Sequence, residues 1–289
     1  PMYAEAWSEL GRAQVNQAGF SLITEAEAYE LARRSLRRAL EIDPNNAAAL
    51  SRLGWIEMSE GDLVMAARHL QTALELEPGS AAVLGNSAQL MFTLGRFDQS
   101  VELNRKTTIL NPASAQSHAN FASALYSSGR LGEAASANQT AERLSPDYWG
   151  VPYMKGSLFM LEGDYESALE AYTQESDPEW LARGTAMAAF SLGKTADYEK
   201  ALEELKQGWG EQWPSEVAAV YIWAGDYDAA FEWLEKSIAI KESQVGANQF
   251  DPMLSGIHED PRWLPFLDRI GRSPAQLDAI EFNLTLPDQ

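Results

Sequence analysis

The stretch from Ala47 to Pro78, AAALSRLGWIEMSEGDLVMAARHLQTALELEP, carries the landmarks from which the rest of the chain can be read. Gly61 stands near its middle and Pro78 closes it. Both recur at a step of 34 residues, as Gly61, Gly95, Gly129 and Gly163, and as Pro44, Pro78, Pro112 and Pro146. Two places after each glycine comes an apolar or aromatic residue: Leu63, Phe97, Leu131 and Tyr165. Five places after it comes a small one: Ala66, Ser100, Ala134 and Ala168. Glycine suits a tight turn between helices because it takes positive φ without a Cβ clash, so Gly95 and Gly129 are expected at positive φ. The small residue lets two helices approach closely. Proline lacks an N–H and crowds the turn before it, so each one ends a helix. The residues before three of them, Asp43, Asn111 and Ser145, are placed to cap the following helix. A period of this length predicts a solenoid of stacked helical hairpins, because one hairpin cannot bury its apolar face alone. Such stacks present long surfaces that bind rather than catalyse.

The pattern resembles the tetratricopeptide repeat. Leu50, Leu53, Gly54, Ala66, Leu70, Ala73 and Pro78 stand at its landmark places in the quoted stretch. An earlier copy has Trp7, Leu10 and Gly11, then Ala32, Leu36, Ala39 and Pro44, with about nine extra residues between its helices near NQAGFSLITEAE. A fifth copy holds Gly156, Gly163, Tyr165, Ala168 and Tyr172. A sixth, from Glu179 to Gly208, is degenerate with an extra turn at GKTADY, and a seventh holds Tyr221, Gly225, Tyr227 and Ala230. The resemblance implies an all-α, right-handed superhelical solenoid of about seven hairpins over residues 1–245. A C-terminal helical cap and an extended tail then fill residues 246–289.

Composition narrows the function. The formal net charge is −20, and it is uneven: residues 1–145 hold 12 Lys and Arg against 16 Asp and Glu, and residues 146–289 hold 10 against 26. So acidic a surface repels phosphate backbones and anionic lipid, which argues against nucleic-acid and membrane partners. There is no cysteine, hence no disulfide, thiolate nucleophile or cysteine-bound zinc. No apolar run has the length of a membrane span or a signal-peptide core, which favours a cytoplasmic setting. Pro1 falls where a repeat-closing proline would stand, so the sequence reads as a piece of a longer protein.

Nothing in the sequence points to catalysis, a metal or a cofactor. His69, His118 and His258 lie far apart, without ligand spacing. No phosphate loop, nucleophile elbow or dinucleotide fingerprint occurs. Asp260 before Pro261 reads as an N-cap followed by a first-turn proline. The basic cluster Arg33, Arg34, Arg37 and Arg38 reads as a solvated helix face partnered by Glu30 and Glu41.

In the family it resembles, the first helix of each hairpin lines the concave side. Asn86 and Asn120 occupy the same place on successive first helices. Gln89 and Ser123 follow three residues on, and Phe92 and Tyr126 six residues on, all on one helical face. This is similar to the asparagine ladder with which some members hold an extended peptide, an amide matching a peptide backbone as both donor and acceptor. Arg52 and Met154 fill the equivalent places in the neighbouring copies, and no lysine-rich carboxylate clamp is evident. The expected peptide-binding residues are Arg52, Trp55, Asn86, Gln89, Asn120, Ser123 and Tyr126.

The C-terminal segment carries a second resemblance, through Asp251, Pro252, Leu254, Asp260, Pro261, Arg262, Trp263, Phe266, Leu267 and Gly271. It looks like the closing segment of bacterial arrays that sit behind an effector: a class III adenylyl cyclase, a winged-helix regulator or a protein kinase. The resemblance implies a non-catalytic regulatory scaffold of a signalling protein. Beyond it, Ile280, Phe282, Leu284 and Leu286 alternate with polar residues. That predicts an ordered, extended tail over Glu281–Leu286, packed on the last repeats or on a second molecule through which the chain would self-associate.

Overall fold

A computed structural model describes residues 3–19, 23–242 and 245–284, and among them every regular element is helical. The helices pair into hairpins as they follow in sequence. They are α1 (Ala4–Gly19) with α2 (Glu25–Ile42), α3 (Ala47–Ser59) with α4 (Leu63–Leu76), and α5 (Ala81–Thr93) with α6 (Phe97–Leu110). Then come α7 (Ala115–Ser127) with α8 (Leu131–Leu144), α9 (Val151–Glu162) with α10 (Tyr165–Tyr172), α11 (Pro178–Ser191) with α12 (Thr195–Trp209), and α13 (Pro214–Trp223) with α14 (Tyr227–Ile240). Two 3-10 segments, Ala247–Phe250 and Pro252–Glu259, lead to the short α15 (Trp263–Arg269) and α16 (Pro274–Asp278). The chain forms two compact units, Pro1–Leu110 with Asp278–Gln289, and Asn111–Leu277.

Each hairpin from α3 onward turns at a glycine in the left-handed region. Gly95 and Gly129 have φ of 71° and 78°, as expected, and Gly61, Gly163, Gly193 and Gly225 share the conformation. At Gly95 the geometry closes the helix: its N–H donates to the Phe92 carbonyl at 2.9 Å, and that of Arg96 to the Met91 carbonyl at 2.8 Å. Where the next residue is aspartate, it caps the second helix. Asp62, Asp164 and Asp226 accept from the N–H of Met65, Ser167 and Ala229. Where it is Arg130 or Lys194, no side chain caps the helix.

Four local expectations need correction. The cap of α3 is not Asp43 but Asn46, two places after the proline, accepting from Ala49 N–H at 2.8 Å; Ser114 does the same for α7. The prolines lie in the connecting turn, and Asp43 braces that turn by accepting from Asn45 N–H at 3.0 Å. In the first hairpin the extra residues mostly lengthen the helices: α1 has 16 residues and α2 has 18, against 13 in α3 and 14 in α4. The sixth copy has no extra turn, because Thr195 already begins α12. The period slips one helix earlier: α10 spans only 8 residues where α4, α6 and α8 span 14, so Gly193 follows Gly163 by 30 residues. Near Pro261 the helix starts at Trp263, and Asp260 accepts from both the backbone and the side chain of Arg262.

In the first unit Ala32, Leu36, Ala49, Leu53 and Ile56 form a buried cluster across α2 and α3. In the second, Val217, Phe231, Leu254, Ile257, Trp263 and Phe266 share one core, so the closing segment covers the α13–α14 hairpin. Tyr172 is fully buried, and its ring lies where Cβ atoms on Gly156 and Gly184 would stand, at 2.4 Å from each. The arginine cluster on α2 is a paired surface: Arg34 meets Glu30 at 3.0 Å, Arg38 meets Glu41 at 2.6 Å, and Arg33 meets Glu60.

Candidate functional site

In the first unit the expected binding residues lie on α3 and α5. Arg52 is half-buried, and burial followed by the nearby Arg12 charge lowers its pKa. Trp55 meets Tyr29 edge-on, with ring centroids 5.9 Å apart. Asn86 is half-buried and already engaged: its Nδ2 donates to Ser51 Oγ at 2.9 Å and to the Ser51 carbonyl at 3.3 Å, joining α5 to α3. Gln89 is exposed.

In the second unit Asn120 on α7 is exposed, and the Ser123 hydroxyl turns back to the Ala119 carbonyl at 3.2 Å. Tyr126 is different. It is buried, and its hydroxyl donates to Asp251 Oδ1 at 3.0 Å. Asp251 Oδ2 in turn faces Arg183 Nη2 at 3.3 Å, while Arg183 Nη1 donates to Glu216 Oε2 at 2.5 Å. The Arg183 guanidinium lies over the Tyr153 ring, 5.6 Å from its centroid. Tyr153 packs on Tyr172 and Trp180, and Trp180 on the half-exposed Trp149. First helices α7, α9, α11 and α13 and the closing segment thus meet in one buried charge network.

The sequence reading missed Arg183 and Glu216 as partners, although a signal was present. Each is a lone charge in a run of small and apolar residues, ARGTAMAAF in α11 and PSEVAAVYI in α13, and the signs are opposite. Glu216 also stands nine residues before its turn glycine, as Asn86 and Asn120 do before theirs. A lone charge inside an apolar helix is rarely tolerated without a buried partner.

Burial works against the Arg183 charge, and Glu216 and Asp251 more than offset it, so its pKa rises. Burial, then the charges of Glu216 and Asp177, pushes half-buried Glu179 up to about 8. The consequence for stability has a definite sign. Between the ordinary carboxylate range and pH 8 the folded chain holds a proton that the unfolded chain has released. Stability from this group is therefore full at low pH and is lost as pH rises toward 8. Melting temperature is expected to fall between pH 5 and pH 8, and Glu179→Gln is expected to flatten that slope in a series of melts across the range.

Two tetratricopeptide-repeat family models match the sequence, one over residues 25–81 and 119–179 and the other over 57–120, together more than half of the chain. The chain belongs to the tetratricopeptide-repeat family. Solved structures agree on the fold. A tetratricopeptide repeat protein from Parabacteroides merdae superposes with a TM-score of 0.59 at 16% identity, covering 88% of this chain and 100% of that one. PilF of Pseudomonas aeruginosa gives 0.56 at 20% identity over 71% and 91%. PilW, a widely conserved type IV pilus biogenesis factor, gives 0.57 at 18% identity over 69% and 93%. At these identities the likeness concerns fold alone. Comparison with proteins of curated function finds no match. Among the described residues no helix of this tetratricopeptide-repeat chain is long and apolar enough to cross a membrane.

Proposed function

We propose that this array is a non-catalytic scaffold that holds a protein or an extended peptide against its first helices, as the regulatory part of a larger bacterial signalling protein. The observation that carries the reading is the state of two amides. Gln89 and Asn120 are both exposed on first helices, and among the described residues neither amide has a hydrogen-bond partner, so each can meet a partner's backbone. In the first unit Arg52, Trp55 and Asn86 accompany Gln89, and in the second Ser123 and Tyr126 accompany Asn120, with Asn86 and Tyr126 acting mainly to hold their helices in place. The charge network supports a structural role over acid–base chemistry, since Arg183, Glu216, Asp251 and Tyr126 are bonded to one another. The resemblance of the Asp251–Gly271 segment to the closing part of bacterial regulatory arrays supports the signalling context and a cytoplasmic setting.

The test is a partner captured by the full chain and then titrated against variants. Gln89→Ala with Asn120→Ala is expected to weaken its binding by about 1–3 kcal/mol, roughly five- to two-hundred-fold, without moving the melting temperature. Asn86→Ala is the contrast, since it also removes the bond to Ser51 and lowers stability. Unchanged affinity in a fully helical Gln89→Ala/Asn120→Ala variant would exclude the first-helix face as the binding surface.

A further inference from the structure

The tail, expected on the last repeats or on a second molecule, meets the first unit. Residues 281–284 leave the helix and alternate in burial as an extended segment does, while Thr285 and Leu286 lie outside the described residues. Among the described residues its hydrogen bonds reach α4 and the turn before α6 of the first unit. Ile280 and Phe282 are 9% and 7% exposed, whereas Glu281 and Asn283 between and after them face solvent. Arg96 Nη2 donates to the Ile280 carbonyl at 2.5 Å, and the Asn283 N–H donates to Gln71 Oε1 at 2.7 Å. The other end of the Gln71 amide donates to Glu75 at 2.8 Å, which keeps its oxygen toward the tail.

We infer that this second-helix side of the first unit is a docking site for an extended apolar-x-apolar peptide, and that the chain's own tail occupies it in cis. Both hydrogen bonds address the tail's main chain, so they read extension and not side-chain identity. The alternate burial of Ile280 and Phe282 supplies the selectivity, the division of labour by which extended peptides are generally recognised. The segment adds no helix to any hairpin. Among the described residues its hold comes from two apolar anchors and two bonds, set against the cost of ordering an extended segment, which suits an exchangeable contact. A partner segment with the same spacing would compete with the tail. The site is separate from Gln89 and Asn120, so it stands or falls independently of the first-helix reading.

The experiment adds a fluorescein-labelled peptide of residues 278–289, DAIEFNLTLPDQ, to the full-length chain and to full-length Ile280→Asp/Phe282→Asp, and reads anisotropy. The variant is expected to bind the peptide at least tenfold more tightly than the unaltered chain. Adding Gln71→Ala and Arg96→Ala to it is expected to remove most of that gain. Should the double substitution reduce helicity by circular dichroism, Phe282→Ala takes its place with the same outcomes. A folded variant that fails to bind the peptide, or that binds it no better than the unaltered chain, overturns the proposal. So does a mass that doubles with concentration in light scattering and reverts in the variant, because the tail would then dock on a second copy.

Discussion

Arg183→Met will lower the stability of the folded chain by about 3–5 kcal/mol in urea unfolding followed by circular dichroism. The loss comes less from the ion pairs themselves than from what remains. Glu216 and Asp251, with side chains 10% and 17% exposed, would be left in a poorly solvated place with no cation between them. Tyr126 and the 3-10 segment capped by Asp251 would be disturbed as well, since both bond to that carboxylate. Pairing Arg183→Met with Glu216→Leu should recover a large part of the loss, because an apolar pair of similar volume avoids the desolvation penalty. A loss under about 1 kcal/mol for Arg183→Met alone would show that water reaches the two acids and that the network is not buried as described.

Phe266→Ala is the second large effect, with an expected cost of about 3–5 kcal/mol. The ring is 2% exposed, stacks on Trp263 with centroids 5.5 Å apart, and meets Phe231 of α14 edge-on at 6.3 Å. The end of a repeat stack exposes an apolar face, and this segment is what covers the α13–α14 hairpin. Hydrogen exchange should therefore accelerate first in α13 and α14 and leave α3–α6 unchanged. Uniform acceleration, or none, would mean that the closing segment does not act as a cap.

The repeat was legible because its landmarks are local. A glycine that must take positive φ and a small residue at a helix crossing leave the same mark in every copy. The exceptions trace to residues whose role depends on neighbours far along the chain. The shortening of α10 broke the period, and the sixth copy looked degenerate although its own turn at Gly193 is regular. The candidate amides were legible as types, and two of them are exposed. That Asn86 spends its donor on Ser51, 35 residues earlier, follows only from the spacing between stacked helices. Arg183, Glu216 and Asp251 could be suspected singly, but not as one network. The tail's alternation foretold its extended form and gave no information on which helices would receive it.

Tyr172 has a consequence of another kind. One ring fills the room left by two missing side chains, on Gly156 of α9 and Gly184 of α11. It acts as a single tenon seated in two mortises, and consecutive hairpins are aligned through it. None of the three positions is free to drift by itself: a methyl on either glycine collides with the ring, and a smaller residue at 172 leaves both slots empty. Among descendants of this chain, the three would be inherited as one character.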